Sequence, residues 1–135
     1  MNREILFKAK RKDNGEWMEG YYRRIPCMGT LEHYIMPRNP KNRMEQYAID
    51  PDTICQYTGL VDNNGNKIWE NDIVRRTDLY VAIEPSVGFI EYDLENTSFL
   101  IHWTDKVEYL PTYRWKDRLE IIGNIFDNQD LLEAK

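Results

Sequence analysis

Asp62, Asn64 and Asn66 stand at alternate positions in Leu60–Val74, LVDNNGNKIWENDIV. An EF-hand loop spaces its first three calcium ligands in this way. Such a loop also needs glycine at its sixth position for the sharp turn and a bidentate glutamate at its twelfth. Counted from Asp62, those positions hold Lys67, a cation, and Ile73, a side chain with no oxygen. The residues therefore predict no calcium site but a β-hairpin turned at Asn64-Gly65. A two-residue turn would set Asp62 opposite Lys67, Val61 opposite Ile68 and Leu60 opposite Trp69. A type I turn with Gly65 in a G1 bulge would shift this register by one, and both turns fit the residues.

Other residues with chemical potential are scattered. His33 and His102 have no sequence-adjacent Cys or Ser, and the chain carries no Gly-rich phosphate loop, no G-x-S-x-G and no H-E-x-x-H. Glu70 and Asp72 would share a strand face as alternate residues, but hydrogen bonding to turn amides or pairing with Arg75 and Arg76 accounts for them without catalysis. The two cysteines, Cys27 and Cys55, lack CxxC spacing and are expected to be small buried apolar groups. No enzyme, metal or cofactor is expected. One cluster does suggest binding: Lys8, Lys10, Arg11, Lys12, Arg23 and Arg24 surround Trp17, Tyr21 and Tyr22, a mixture of cations and stacking rings that suits nucleic acid.

The elements that must position these residues read as β. Ile5–Ala9 and Glu16–Arg24 predict a first hairpin around Asp13-Asn14-Gly15. From Ile25 to Lys41, Pro26, Gly29, Pro37 and Pro40 interrupt regular structure, and a long basic loop is expected. Asp50-Pro51-Asp52 makes a local turn. Val87–Asp93, Ser98–Trp103, Lys106–Leu110 and Leu119–Ile125 read as strands, with Phe99, Ile101 and Trp103 on one face and Leu100 and His102 on the other. The Asp127 or Asn128 side chain caps a short helix whose Leu131 and Leu132 would dock on the sheet. DNGEWMEGYYRR and NNGNKIWENDIVRR echo one another as two similar hairpins.

The 135 residues suit one domain, expected as a hairpin lobe over 1–48, a five-stranded barrel over 49–126 and a helix over 127–134. The start, MNREILFKAKRK, lacks a secretory h-region, and no window approaches the roughly 18 apolar residues of a span, so a cytosolic protein off the membrane is expected. Net charge is −5 but uneven: residues 1–43 hold ten Lys or Arg against five Asp or Glu, a net of +5, and the remainder carries −10. The overall acidity disfavours nucleic acid, whose phosphates would meet an acidic field, while the asymmetry suits attraction within a chain, between subunits or to a basic partner. Four Trp and nine Tyr exceed what one small barrel core hides, and aromatic residues with Arg are what interface cores prefer.

The run Asp50-Pro51-Asp52-Thr53-Ile54-Cys55-Gln56-Tyr57-Thr58-Gly59-Leu60, followed by Asp62, Asn64-Gly65, Lys67-Ile68, Glu70 and Asp72-Ile73-Val74, resembles the signature of YopX-like proteins, which phages and prophages encode. KRKDNGEWMEGYY, GFIEYD and EIIGNIFDNQDLL resemble that family's other segments in the same order. The resemblance implies an SH3-like small β-barrel core, oligomers, and a biochemical role that is unassigned, with no catalytic residue to carry over. Gln56, Tyr57, Thr58, Gly59, Asp62, Asn64, Gly65, Glu70 and Asp72 are the signature positions it marks. Where the family often has Gly before its Asp-Ile-Val, this chain has Asn71, the non-glycine residue that best tolerates left-handed φ. The expected function is a non-enzymatic, oligomeric interaction or assembly module of phage or prophage origin. It would act in the cytoplasm of the bacterial host, on copies of itself or on a host or phage protein. The alternative is a nucleic-acid-binding barrel that uses the basic hairpin.

Overall fold

The computed structural model describes residues 4–76, 87–104, 106–113 and 116–133. The chain forms two compact units, Met1–Tyr57 and Thr58–Lys135. The passage between them lies within one strand, at Tyr57-Thr58, whereas the sequence suggested a lobe boundary near residue 48.

In the first unit, β1 (Phe7–Lys10), β2 (Trp17–Cys27), β3 (Thr30–Pro37), β4 (Tyr47–Ala48) and the start of β5 (Cys55–Val61) form an antiparallel sheet in the order β4-β3-β2-β1-β5. The β1–β2 loop turns as the sequence predicts. Gly15 adopts φ 72°, its N–H bonds Arg11 O at 2.9 Å, and Arg11 N–H bonds Glu16 O at 2.9 Å. Ala9, Ile35 and Ile49 are fully buried, with Phe7, Met18, Tyr22 and Ile54 packed around them. A single 3₁₀ turn, Pro51–Thr53, is capped by the Asp50 carboxylate, which accepts from Asp52 N–H at 3.0 Å.

The expected loop over Ile25–Lys41 is instead a hairpin. β2 runs on to Cys27 and pairs with β3 from Gly20–Pro37 to Cys27–Thr30. The turn is Met28-Gly29 with φ 49° and 83°, the positive pair that a type I′ turn requires. Both prolines are accommodated by pairing parity. With Cys27–Thr30 closing a two-residue turn as a hydrogen-bonded pair, Pro26–Leu31 and Gly20–Pro37 fall on non-bonded pairs, so neither missing N–H costs a β2–β3 bond.

The second unit contains the rest of β5, then β6 (Lys67–Trp69), β7 (Asp72–Arg76), β8 (Val87–Asp93), β9 (Ser98–Trp103), β10 (Val107–Tyr109), β11 (Leu119–Asn124) and α1 (Asp130–Glu133). The last five strands form an antiparallel sheet in the order β10-β9-β8-β7-β11. Ile68, Val74, Ile90, Ile101, Trp103, Leu110, Tyr113 and Leu119 form its core. Phe99 packs on that core and His102 is exposed, as the alternation in SFLIHW predicts. The chain is thus mainly β, in two antiparallel sheets with a short C-terminal helix.

The five-stranded sheet is not a closed barrel. Closure needs the terminal strands to pair. Among the described residues β10 ladders only with β9 and β11 only with β7. β10 is three residues long and soon meets Pro111, which has no N–H to donate. α1 contacts β8, while the Asn128 side chain accepts from Asn124 N–H at 3.1 Å rather than capping the helix; residue 134 of the expected helix lies outside the described residues.

The tight turn from β6 to β7 passes through Glu70-Asn71, and Asn71 has φ 73°. Its N–H bonds Ile90 O at 2.7 Å and its C=O accepts from Ile125 N–H at 3.0 Å, so the backbone there is held from both sides. Asn71→Ala is expected to lower stability by about 1 kcal/mol through left-handed strain, with Asn71→Gly close to the parent. Urea unfolding of the two variants side by side checks this.

Candidate interaction surface

Residues paired across an antiparallel ladder project to the same side of the sheet. Lys8 pairs with Glu19 and Lys10 with Trp17, while Tyr21 pairs with Met36 and Arg23 with Tyr34. One face of the N-terminal sheet therefore carries Lys8, Lys10, Trp17, Tyr21, Arg23, Tyr34 and Met36, none of them buried; Tyr21 is 48% exposed. The other face carries the apolar cluster around Ala9 and Ile35.

The cationic and aromatic residues singled out from the sequence are thus divided between two faces. Lys8, Lys10, Trp17, Tyr21 and Arg23 share the open face. Tyr22 faces the core side, its ring stacked on His33 at 5.8 Å and its hydroxyl 2.5 Å from His33 Nδ1. Burial pushes the Tyr22 hydroxyl pKa up, against the opposing pull of the Arg24 charge. Arg24 lies opposite His33 on that same side. Arg11 sits 4.2 Å from the Tyr47 ring centre and bonds Asp13 through Nε at 2.9 Å. That hydrogen bond raises the guanidinium pKa and lowers that of the Asp13 carboxyl. Lys12 belongs to the β1–β2 loop.

On the open face the cations and rings already engage one another. Lys8 Nζ lies 4.8 Å and Lys10 Nζ 5.5 Å from the Trp17 ring centre. Cation–π contact of this kind places positive charge where a stacked base would lie. Tyr34 and Met36 complete the face and were hidden from the sequence reading by the prolines around LEHYIMP. A period-two pattern was present there, with Ile35 inward and Tyr34 and Met36 outward.

The signature residues do different work. Gln56 pairs with Phe7 of β1, and Tyr57 N–H donates to Leu6 O at 2.9 Å. In the second unit the Thr58 hydroxyl donates to Ile68 O at 2.7 Å and accepts from Leu60 N–H at 3.2 Å. Gly59 has φ 91°. Gly65, at φ 83°, donates its N–H to Asp62 O at 3.1 Å, and Asp62 N–H donates to Asn66 O at 2.8 Å. This is the type I turn with a G1 bulge, so Asp62 stands opposite Asn66, not Lys67. The Asp62 carboxylate accepts from Asn64 and Asn66 N–H through Oδ1, both at 2.9 Å, and from Ile121 N–H through Oδ2 at 3.1 Å. Glu70 occupies the β6–β7 turn, so it does not share a strand face with Asp72. Asp72, 2% exposed, accepts from Trp69 N–H at 2.7 Å.

Both oxygens of Asp62 therefore serve backbone amides, and Asn64 and Asn66 enter the turn through their own N–H groups. Among the described residues no group of three or more His, Cys, Asp or Glu is arranged to hold a metal ion. Millimolar calcium is expected to leave the melting temperature unchanged, as differential scanning fluorimetry with and without chelator can check; a rise of several degrees would restore the calcium reading. His102 stacks on Phe89 at 4.9 Å, with Nδ1 3.2 Å from Glu91 Oε2. Cys55 is buried as expected, but Cys27 is exposed beside the β2–β3 turn. The Cys27 thiol donates a hydrogen bond to the Glu32 carboxylate, which raises its pKa and disfavours the reactive thiolate. Among the described residues no helix is long and apolar enough to cross a membrane.

Comparison with known proteins agrees with this architecture. The crystal structure of protein EF1440 from Enterococcus faecalis is similar over 97% of this chain and 99% of that one, with 25% sequence identity and a TM-score of 0.56. No curated protein matches the chain. The family model described as YopX protein matches residues 6–133, nearly the full length. On that match, with the Gln56–Asp72 signature folded into the β5–β6–β7 turns, the chain belongs to the YopX protein family.

Proposed function

We propose that this YopX family member is a non-enzymatic assembly module, an accessory protein of phage or prophage origin that self-associates in the cytoplasm of its bacterial host. The observation that carries the reading is the open face of the N-terminal sheet. There Trp17, Tyr21, Tyr34, Met36 and Arg23, residue types that protein interfaces favour, are interleaved with Lys8 and Lys10. The charge asymmetry supports the same reading: +5 over residues 1–43 of one copy attracts −10 over residues 44–135 of the next. A host or phage protein with an acidic surface would meet the same face. The second sheet, with its order β10-β9-β8-β7-β11, is the part to which the SH3-like comparison applies.

Light scattering at low and high salt tests the assembly. A defined oligomer at low salt, weakened by salt and by Tyr21→Glu, is expected. A monomer at high protein concentration in both buffers overturns it. A nucleic-acid reading draws support from one observation, the presence of Lys8, Lys10, Arg23, Trp17 and Tyr21 on a single face. It requires single-stranded DNA to bind with a steep salt dependence in filter binding.

A further inference from the structure

β2 changes partners along its length. It pairs with β1 from Trp17 to Gly20 and with β3 from Gly20 to Cys27. Antiparallel pairs alternate between bonded and non-bonded, and this alternation fixes where each backbone group points. Arg11 N–H bonds Glu16 O, so Ala9–Met18 and Phe7–Gly20 are the bonded pairs with β1. On the other side the two-residue turn makes Tyr21–Met36, Arg23–Tyr34 and Ile25–Glu32 the bonded pairs with β3. The N–H and C=O of Tyr22 and Arg24, and the C=O of Pro26, therefore point away from β3. Among the described residues no strand pairs with β2 on that side beyond Gly20, and Tyr21, Arg23, Arg24 and Pro26 are exposed. Where the β1 ladder stops, Ile5, Leu6, Phe7, Tyr21 and Tyr22 line a cleft of about 570 Å³ together with Glu4, whose carboxylate is held by Arg38 at 2.7 Å.

We propose that this free edge takes an extended, acidic peptide segment of a partner protein as an added strand. The edge offers alternating donors and acceptors at Tyr22 and Arg24, which only another peptide backbone matches in register. Arg23 and Arg24 project to opposite faces of β2, so carboxylates on either face of the added strand meet a cation. The apolar rings of the cleft take a side chain at the end of the strand nearest Gly20. Pro26, which has no N–H, ends the ladder and keeps the segment short. The same residues disfavour a second copy of this edge. Antiparallel self-pairing about Arg23 or about Arg24 sets that arginine against its mate, and pairing about Tyr22 requires the Gly20 groups already bonded to Phe7. A phosphate backbone brings no amide to the exposed carbonyls.

The test uses the full chain and a short alternating Glu-Val peptide, with a Lys-Val analogue and a Glu-Val peptide N-methylated at alternate amides as controls. Fluorescence anisotropy is expected to show binding of the Glu-Val peptide alone. Amide exchange by NMR should find Tyr22 and Arg24 unprotected in the free protein and protected in the complex, with Arg23 and Ile25 protected in both. Arg24→Gln should weaken binding about tenfold, the effect of one charged contact of ordinary strength, with an unchanged melting curve. Three results would overturn the proposal: equal binding of either control, no binding, or protection of Tyr22 and Arg24 by self-association of the free protein. Peptide binding by a protein that stays monomeric would remove the assembly reading and leave this one standing.

Discussion

Gly20→Ala is expected to cost about 3 kcal/mol or more and to break the N-terminal sheet, because the position has no room for a methyl group. Gly20 lies where β2 is flanked on both sides, opposite Phe7 in one ladder and Pro37 in the other. A Cβ there would stand 2.0 Å from Met36 O, 2.9 Å from Met36 C and 3.1 Å from Ile35 Cγ2. Two of those atoms are backbone and the third belongs to a fully buried side chain, so relief requires β2 and β3 to separate. Gly15→Ala is the control. Nothing lies within 4 Å of its Cβ position, and the change should cost about 1 kcal/mol from positive φ alone. Urea unfolding followed by circular dichroism measures both, and a Gly20→Ala loss no greater than that of Gly15→Ala would mean that the β2–β3 ladder is looser than the register implies.

The same stretch shows what the sequence reveals and what it conceals. Strand β9 was legible because Phe99, Ile101 and Trp103 alternate with Leu100 and His102, and β8 and β11 because Asp93 and Asn124 mark their ends. Glu95 N–H bonds Asp93 Oδ1 at 3.1 Å in the turn between β8 and β9. The β2–β3 hairpin was not legible, because its turn is Met28-Gly29 instead of Asn-Gly and because prolines at both ends read as breakers. Only pairing parity shows them to be harmless, and parity is a property of the partner strand. The open β10–β11 boundary was hidden for a similar reason: sequence counts strands, whereas closure depends on which strands meet. At the signature, the residue types predicted a hairpin and left two registers open; the Asp62 carboxylate that holds the observed one is also bound from 59 residues away, where Ile121 N–H meets Oδ2.

Unit charges follow the same division. Met1–Tyr57 carries ten Lys or Arg against eight Asp or Glu, and Thr58–Lys135 eight against fifteen, so the units bear +2 and −7. The +5 of residues 1–43 is thus reduced within its own unit by Glu45, Asp50 and Asp52, of which Glu45 accepts from the Tyr47 hydroxyl at 2.6 Å. The cations left on the surface of the first unit include Arg23 and Arg24, on the strand whose edge beyond Gly20 is unpaired among the described residues. Exposed arginines on an open edge oppose association with like edges and favour an acidic strand, so one pair of residues both protects the sheet and selects its partner.

Asp62→Ala is expected to cost about 3 kcal/mol, since it strips acceptors from three amides in a side chain's place that is 5% exposed, at about 1–3 kcal/mol for each donor left dry. Asp62→Asn keeps one carbonyl for Asn64 and Asn66 N–H but turns an NH₂ toward Ile121 N–H, so an intermediate loss of about 1–2 kcal/mol follows. The two variants differ from the parent most clearly in pH dependence. Burial alone would raise the Asp62 pKa, but the Ile121, Asn66 and Asn64 amides outweigh it and hold the carboxyl below its ordinary value. A carboxyl whose folded pKa is depressed contributes its stability fully above the unfolded value of about 3.9, and that contribution is lost as pH falls through the folded pKa. The gap between parent and Asp62→Asn should therefore be full at neutral pH and shrink under acid below about pH 4, while the variant's own curve loses that acid limb. Urea midpoints measured across that range decide the matter: a gap that stays constant with pH would show that the Asp62 side chain, and not its charge, holds the β5–β6 hairpin to β11.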